Sequence, residues 1–491
     1  MINQPLMEET RADYGRQYAD RRVRALRFVV VTFLVLIVVG ATLTSLRLMR
    51  ISRGQAYIDA SYPACRKGYA LGAYGTQQGP AKLLLWSGKA DSNCMWINEL
   101  CDDMWLFDAD THAPPNGTSK WTELDREDAG AYLQSSKRPE PRWKTIAVQD
   151  EQENLFIFAG DPLRADGSFI DDVWKLSAGT FEWRRLAPTC SSSDSALNAD
   201  DDDRCMSLER RAHAAAYSAG KVYMHGGKSP TSSLLNDMWA LDVRKLQWTL
   251  LNDGSELEVA RQLAPPARKG HTLVTVDSLY CNSTGKYATA IVLFAGRVDI
   301  NLYFNDVWAF FPTARRWERL DTAPAPTPHA HVTAMAPHPR DHHAAAVVGN
   351  GMYTIGGWYK YWHAFDDVWR FDLDERTWTA IQPTSAVVPQ GRFLISLLPI
   401  GTDLFMFGGE LGSDEPGAQA NGYLNDVWAF STTTREWIEL SPSRCPRDHT
   451  SAPRPPHVPD DDDEDDGEHV VRAQGPLAKP GGGQKAKGTK G

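Results

Sequence analysis

The sequence predicts an all-β protein of six repeated four-stranded sheets stacked around an axis, preceded by one transmembrane helix. Three observations predict it. A sixteen-residue phrase recurs along the chain, an apolar run ending in small residues stands ahead of each copy, and nineteen residues near the N-terminus carry no charge.

The uncharged stretch, residues 28–46, reads FVVVTFLVLIVVGATLTSL between Arg27 and Arg47. As a helix it is long enough to cross roughly 30 Å of hydrocarbon, and a soluble helix would interrupt it with a polar face. Arg11, Arg16, Arg21, Arg22, Arg24 and Arg27 precede it, against Arg47, Arg50 and Arg53 close behind. By the positive-inside bias, residues 1–27 form a cytoplasmic Arg-rich tail, residues 47–64 a stem, and the remainder is lumenal or extracellular. A cleaved signal peptide is the competing reading, disfavoured by the long charged lead and the lack of an A-x-A-like site. All seven cysteines and both N-x-S/T acceptors, Asn116 and Asn282, follow the span, as expected for a glycosylated, disulfide-bearing ectodomain. A span of nineteen residues leans toward thinner endomembranes.

With 491 residues and 42% hydrophobic content, the remainder is ordinary for a globular protein. The formal net charge of -10 is inflated by acidic runs at 200–203 and 460–466. No basic surface stands out, so nucleic-acid binding is set aside.

The recurring phrase is NDVWAFFPTARRWERL at 305–320. Its relatives are DDVWKLSAGTFEWRRL from 171, NDMWALDVRKLQWTLL from 236, DDVWRFDLDERTWTAI from 366 and NDVWAFSTTTREWIEL from 425, each with its second Trp nine positions after the first. A looser copy opens DDMWLF at 102 and reaches Trp121 after a longer turn. The first Trp of each copy (Trp105, Trp174, Trp239, Trp308, Trp369, Trp428) recurs every 59 to 69 residues, which implies one supersecondary unit per period.

Ahead of the copies lie LLLWSG at 83, LFIFAG at 155, VYMHGG at 222, IVLFAG at 291, MYTIGG at 352 and LFMFGG at 404. These read as strands apolar on both faces, which suits sheets covered on both sides. Each is preceded by a β-rich run led by Arg: Arg66, Arg142, Arg210 or Arg211, Arg268, Arg340 and Arg392. A unit is then four strands: Arg-led, Gly-ended, D-[VM]-W, and a last strand at the second Trp. Glycine permits close approach, the Asn or Asp before DVW can bond its own turn, and the paired Trp are large plates for the widening wedge between sheets.

An apolar strand ending in a Gly pair, then [ND]-D-[VM]-W-x-[FL], then a Trp at fixed distance, resembles the kelch repeat. The resemblance covers roughly residues 65–440 and implies a six-bladed kelch-type β-propeller. Blades 1, 2 and 4 depart from the Gly pair with SG, AG and AG. PRDHTSA at 446 echoes PRDHHAA at 339, so a degenerate seventh first strand is considered. Strand order makes the two ends of the ring neighbours, and a Cys65–Cys445 disulfide would pin them. Cys94–Cys101 and Cys190–Cys205 are natural local pairs, leaving Cys281 odd; connectivity itself is not deducible from sequence.

In up-and-down sheets, the second-to-third loops and the blade-to-blade loops emerge on one face, with both glycan acceptors on the other. The first face carries the expected ligand site for a protein or glycan partner. Its candidates are Arg66, Arg142, Arg211, Arg268, Arg340 and Arg392 as a ring of guanidinium groups for carboxylates or phosphates, and Trp358, Tyr359, Tyr361 and Trp362 as an aromatic platform. The alternatives are that the Arg bond backbone carbonyls to fix the inner strands, and that the aromatics pack between blades. The tail, residues 441–491, is acidic, then Gly- and Lys-rich, and is expected to be disordered.

Some proteins resembling these propellers are copper-radical oxidases or sugar mutarotases. The two Tyr, two His and Tyr–Cys pair that such an oxidase needs map onto no cluster here, and the His-dense 329–343 fits no metal-ligand spacing. No catalytic residue, metal or cofactor is assigned. The sequence thus predicts a type II single-pass membrane protein presenting a propeller for recognition, with a lumenal carbohydrate-active enzyme as the alternative.

Overall fold

The computed structural model describes residues 62–76, 81–90, 100–109, 121–124, 138–190, 209–231, 233–321, 336–360, 363–412 and 422–445. They form a six-bladed β-propeller. Within each blade the strands are antiparallel neighbours in sequence order. Blade 4 is the most regular: Thr272–Cys281, Lys286–Arg297, Tyr303–Phe311 and Arg316–Arg319. No helix of the described residues is long and apolar enough to cross a membrane. Residues 28–46, Asn116, Cys94, Cys205 and the tail beyond Cys445 lie outside the described residues.

The innermost strands are Ala70–Tyr74, Ile146–Gln149, Ala214–Ser218, Thr272–Cys281, Ala344–Val348 and Leu397–Ile400. Each touches the innermost strand of the blade before and the blade after, and the last touches the first. The ring therefore closes with six, and no seventh first strand is needed.

The apolar side chains sort into six clusters, each shared by two adjacent blades. This arrangement explains the second Trp. It docks on the residue just ahead of the small pair in the preceding blade: Trp183 on Trp86, Trp248 on Phe158, Trp317 on His225 and Trp378 on Phe294, with ring centroids 4.8–6.2 Å apart. Trp437 shares a cluster with Ile355. Trp121 on Phe407, at 5.4 Å, closes the circle between the first blade and the last. Such aromatic plates bury large area at the interface where the wedge must be filled.

The small pair has two different jobs. Its second member is always Gly: at Gly227 and Gly409 φ is +95° and +96°. A Cβ there would lie 2.8 Å from the Arg211 carbonyl and 2.9 Å from that of Phe393. The first member is left-handed as well, at +59° for Ser87, +50° for Ala159 and +58° for Ala295, a conformation other residues reach at moderate cost. That is why blades 1, 2 and 4 depart from Gly-Gly without losing the fold.

Three details differ from the sequence reading. The Arg-led strand is broken two residues after the Arg, and the inner strand starts beyond the break. Thr189–Cys190 adds a fifth, parallel strand on the outer edge of blade 3. The Asn before DVW reaches the blade-to-blade connection instead of its own turn: Asn305 Nδ2 donates to the Pro337 carbonyl and Asn425 Nδ2 to the Pro63 carbonyl. Asn425 Oδ1 also accepts from the Arg444 backbone N–H. It thereby ties the entry of the ring to its exit, beside the Cys65–Cys445 disulfide.

Candidate functional site

Each blade contains one Arg–Asp–Trp unit built on a buried Arg. Arg66 pairs with Asp103, Arg142 with Asp172, Arg210 with Asp237, Arg268 with Asp306, Arg340 with Asp367 and Arg392 with Asp426. Both carboxylate oxygens are engaged in every pair, at 2.5–3.1 Å. Nη1 also donates to the carbonyl of the first small-pair residue, at 2.8–3.2 Å. The same Asp accepts the indole N–H of the Trp two residues on, at 2.6–2.8 Å. This is the physical reason for D-x-W: one carboxylate orients both the Arg that clamps strand two and the Trp of strand three. Burial opposes ionisation of Asp103, Asp237, Asp306 and Asp367, yet the facing Arg charge and hydrogen bonds hold them below the usual carboxylate range.

The six Arg are therefore used by the fold, with 0–2% of their surface exposed, and their geometry is that of the structural alternative. One residue of the expected ring is also out of step. Arg210 holds the repeat position, whereas Arg211 pairs with Asp161 of blade 2 at 2.7 Å.

Two residues after each of these Arg, the chain turns left-handed, with φ between +49° and +67° at Gly68, Lys144, Ala212, Gly270, His342 and Leu394. Here the backbone leaves its own sheet and bonds the neighbouring blade. Gly68 N–H donates to Leu394 O, Leu394 to His342, His342 to Gly270, Gly270 to Ala212, Ala212 to Lys144 and Lys144 to Gly68, at 2.8–3.3 Å. Six hydrogen bonds thus form a closed collar around the channel, on the expected binding face.

Beside the collar runs a belt of side chains. The residue after the Gly of one blade meets the residue after the Arg of the next. Lys89 lies over Trp143, Asp161 pairs with Arg211, and Arg297 Nε with Asp341 at 2.8 Å. Trp358 stacks on Phe393 at 6.1 Å, and Glu410 pairs with Lys67 at 2.7 Å. Lys228 and Lys269 hold the corresponding positions between blades 3 and 4. Adding Lys144 of the collar, the basic residues of the belt outnumber the acidic Asp161, Asp341 and Glu410 among the described residues, and all are recessed. At blades 1 and 2 three of these ammonium groups lie around one aromatic ring. There the ammonium groups of Lys67, Lys89 and Lys144 stand 5.4, 5.1 and 3.9 Å from the centre of the Trp143 ring. Across the channel, Arg297, Asp341 and His342 form a compensated group.

The aromatic platform divides. Trp358 packs between Phe393 and the Arg297 guanidinium, and Tyr359 between Tyr303 and His338, so both contribute to packing between blades. Tyr361 and Trp362 lie outside the described residues. Asn282 is exposed at the tip of the first hairpin of blade 4, and Cys281 beside it is a buried free thiol. Sequence reasoning missed Lys67, Lys89 and Lys144. The signal that could have found them is variation: they sit next to repeated positions, where the blades differ.

His213, His225, His271 and His343 are buried within the fold. Among the described residues no group of His, Cys, Asp and Glu could hold a metal ion. His213, His271 and His343 occupy one repeat position, three residues after the Arg, and His225 Nδ1 lies 3.1 Å from His271 Nε2. Burial lowers His213 and His225 to about 3, and His271 and His343 well below their ordinary 6.5. In the unfolded chain these groups protonate as pH falls through 6.5, while the folded ones stay neutral. Stability should then fall between pH 6.5 and about 3, by roughly 1 kcal/mol per pH unit per histidine. Asp102, lifted to about 6 by burial and by Asp103, acts in the opposite sense between 6 and 3.8, as do Asp321 and Glu439, which burial raises, while burial also lowers His342 and adds it to the histidine side. Urea midpoints at pH 7.5 and 5.0 check this, and equal midpoints would contradict it.

A family model described as the KLHDC2/KLHL20/DRC7 Kelch-repeats domain matches residues 54–280, 195–409 and 264–454. Kelch domain-containing protein 3 of Homo sapiens is 27% identical over 242 residues, covering 48% of this chain and 58% of the relative. Host cell factor of Drosophila melanogaster is 23% identical over 289 residues, 53% of this chain and 17% of that protein. Host cell factor 1 of Homo sapiens is 23% identical over 281 residues, 52% and 12% respectively. The matches thus span from 12% to 58% of the length of these relatives. With the collar, the belt and six Arg–Asp–Trp units in place, the chain belongs to the KLHDC2/KLHL20/DRC7 kelch-repeats domain family.

Proposed function

We propose that this propeller is a recognition module that holds a protein partner against the face where the collar and belt lie. The observation that carries the reading is the recessed basic excess of the belt, set in a collar whose backbone is fixed by hydrogen bonds between blades. A rigid, positively charged mouth favours an acidic group projecting from a partner, because its charges are preorganised and weakly screened. The belt carboxylates are committed to cations, Asp161 to Arg211, Asp341 to Arg297 and Glu410 to Lys67. This disfavours the carbohydrate-active alternative, which requires acids available to protonate or attack a substrate. A glycan on the partner is the other ligand class this face would take.

Site-specific photo-crosslinking tests the docking face. A photoreactive residue in place of Lys360, on this face, should capture a partner in cells, and one in place of Tyr287, at the opposite end of blade 4, should not. Equal capture from both positions would reject it.

We further propose that residues 28–46 anchor the chain, with the N-terminus cytoplasmic and the propeller lumenal or extracellular. The uncharged span and its arginine asymmetry support this, as does the Cys65–Cys445 disulfide, a bond that oxidising compartments preserve. Endoglycosidase treatment should then shift the electrophoretic mobility of the protein. The shift should shrink in Asn282→Gln, and its complete absence in the wild type would count against a lumenal propeller.

A further inference from the structure

The first hairpin of blade 4 ends in a turn that presents one side chain. Thr272–Cys281 and Lys286–Arg297 are joined by residues 282–285, where the Gly285 N–H donates to the Cys281 carbonyl at 2.9 Å and Gly285 is left-handed at φ +66°. Glu318, on the last strand of the same blade, fixes this turn. Its carboxylate accepts the backbone N–H of Asn282 at 3.0 Å and that of Ser283 at 2.8 Å. Alternation along the strand then decides the faces. Cys281 is buried in the core, so Tyr280 points outward, directly opposite Tyr287, with ring centroids 5.3 Å apart. The two residues are 42% and 66% exposed, an open aromatic pair. With them, the exposed Asn282 lines a cleft of about 450 Å³ that Leu373, Asp374 and Arg376 of blade 5 complete. Its size falls within the roughly 300–1,000 Å³ of small-molecule sites. Arg376 Nη2 donates to the Tyr280 carbonyl at 3.0 Å and holds the blade 5 turn against the hairpin.

We propose that Asn282 carries an N-linked glycan whose first N-acetylhexosamine lies in this cleft against the Tyr280–Tyr287 pair, as part of the boundary between blades 4 and 5; the inference rests on the lumenal or extracellular placement proposed above. Asn282, Ser283 and Thr284 form the acceptor sequence. In the transfer, Asn282 Nδ2 loses a proton and bonds the anomeric carbon of an oligosaccharide, whose bond to a carrier lipid pyrophosphate breaks. The chemistry of the cleft fits the sugar. A pyranose has an apolar face of C–H groups, which suits an exposed aromatic ring, and a rim of hydroxyl and acetamide groups, which suits the Asp374 carboxylate, the Arg376 guanidinium and the two phenols. A sugar tethered at Asn282 meets these groups at high effective concentration, so weak contacts suffice. Placed there, the glycan occupies the face opposite the collar and leaves the collar face to the partner.

The full chain, made in eukaryotic cells, provides the test. Glycopeptide mass spectrometry should find the modification on Asn282. Sugar on Asn116 alone would overturn the inference while the lumenal placement stands, and sugar on neither acceptor would overturn both. The seat is tested in an Asn116→Gln background, where Asn282 is the remaining acceptor. Removing its glycan with Thr284→Ala should raise the unfolding equilibrium constant in urea at least about twofold. The same change combined with Tyr280→Thr and Tyr287→Thr should have no effect, because a coupling between touching groups vanishes when either is gone. Threonine keeps the β-preference of both strand positions, and Tyr287→Thr alone, at the more exposed position, serves if the double variant does not fold. An equal effect with and without the two Tyr would mean that the sugar acts by bulk alone, and would overturn the seat. A second readout is independent of stability. An amidase that cuts the Asn–sugar bond should release the glycan from the native chain at least about twofold faster once the Tyr are replaced, and equal rates would likewise overturn the contact.

Discussion

Asp306→Ala should lower the unfolding free energy by about 3–5 kcal/mol, because it leaves the Arg268 guanidinium buried without its carboxylate. Arg268 has 0% of its surface exposed, and Asp306 meets it at 2.6 and 2.9 Å. The damage extends further than one ion pair. Asp306 Oδ2 also accepts the Trp308 indole N–H at 2.7 Å, so the side chain that fills the boundary between blades 3 and 4 loses its orientation. Replacing both partners tests the mechanism, since an apolar pair of similar volume removes the stranded charge. Arg268→Met combined with Asp306→Leu should recover a good part of the loss. Urea unfolding of the three variants measures it. A cost below about 1 kcal/mol for Asp306→Ala would place the pair among weak surface bridges and remove the repeat unit as the basis of the fold.

Reduction of the Cys65–Cys445 disulfide, or Cys445→Ser, should cost several kcal/mol, up to about 6 in the chain-entropy model for so long a loop. The two cysteines are 380 residues apart in sequence, so the bond restricts nearly the whole propeller in the unfolded state. The folded ring should survive its loss. Gly68 N–H still donates to Leu394 O at 3.2 Å, Trp121 still packs on Phe407, and Asn425 still holds Pro63. The expected signature is a lower urea midpoint with the same spectrum of the native state. A midpoint indifferent to reductant would mean that the collar and the aromatic contacts alone set the stability of the closure.

Much of the blade was legible in sequence, and the reason is local. Trp308 and Trp317 are separated by one hairpin, so their spacing survives in every copy, and the apolar run at 291 is covered on both faces wherever it occurs. The Asn305 partner was not legible, because the Pro337 carbonyl it bonds belongs to a connection whose length differs from blade to blade. The Arg were found but assigned to a ligand as one of two alternatives. Their Asp partners lie 27 to 38 residues further on, and repetition alone does not reveal whether a repeated charge faces a solvent channel or a repeated counter-charge. The Lys cluster was invisible for the opposite reason. Lys67 and Lys89 flank repeated positions and recur only once each, at Lys269 and Lys228, and the acid that pairs with Lys67, Glu410, comes from the other end of the propeller.

By itself, then, the sequence determined the four-stranded unit, written in spacings shorter than one repeat and enforced by hydrophobic periodicity, and the number of blades, written in the count of its copies. Which charges meet at the channel mouth was decided only by the tertiary structure. Closing the ring sets the residue after each Gly against the residue after the next Arg, and a contact such as that between Lys67 and Glu410, 343 residues apart, exists only once the last blade meets the first.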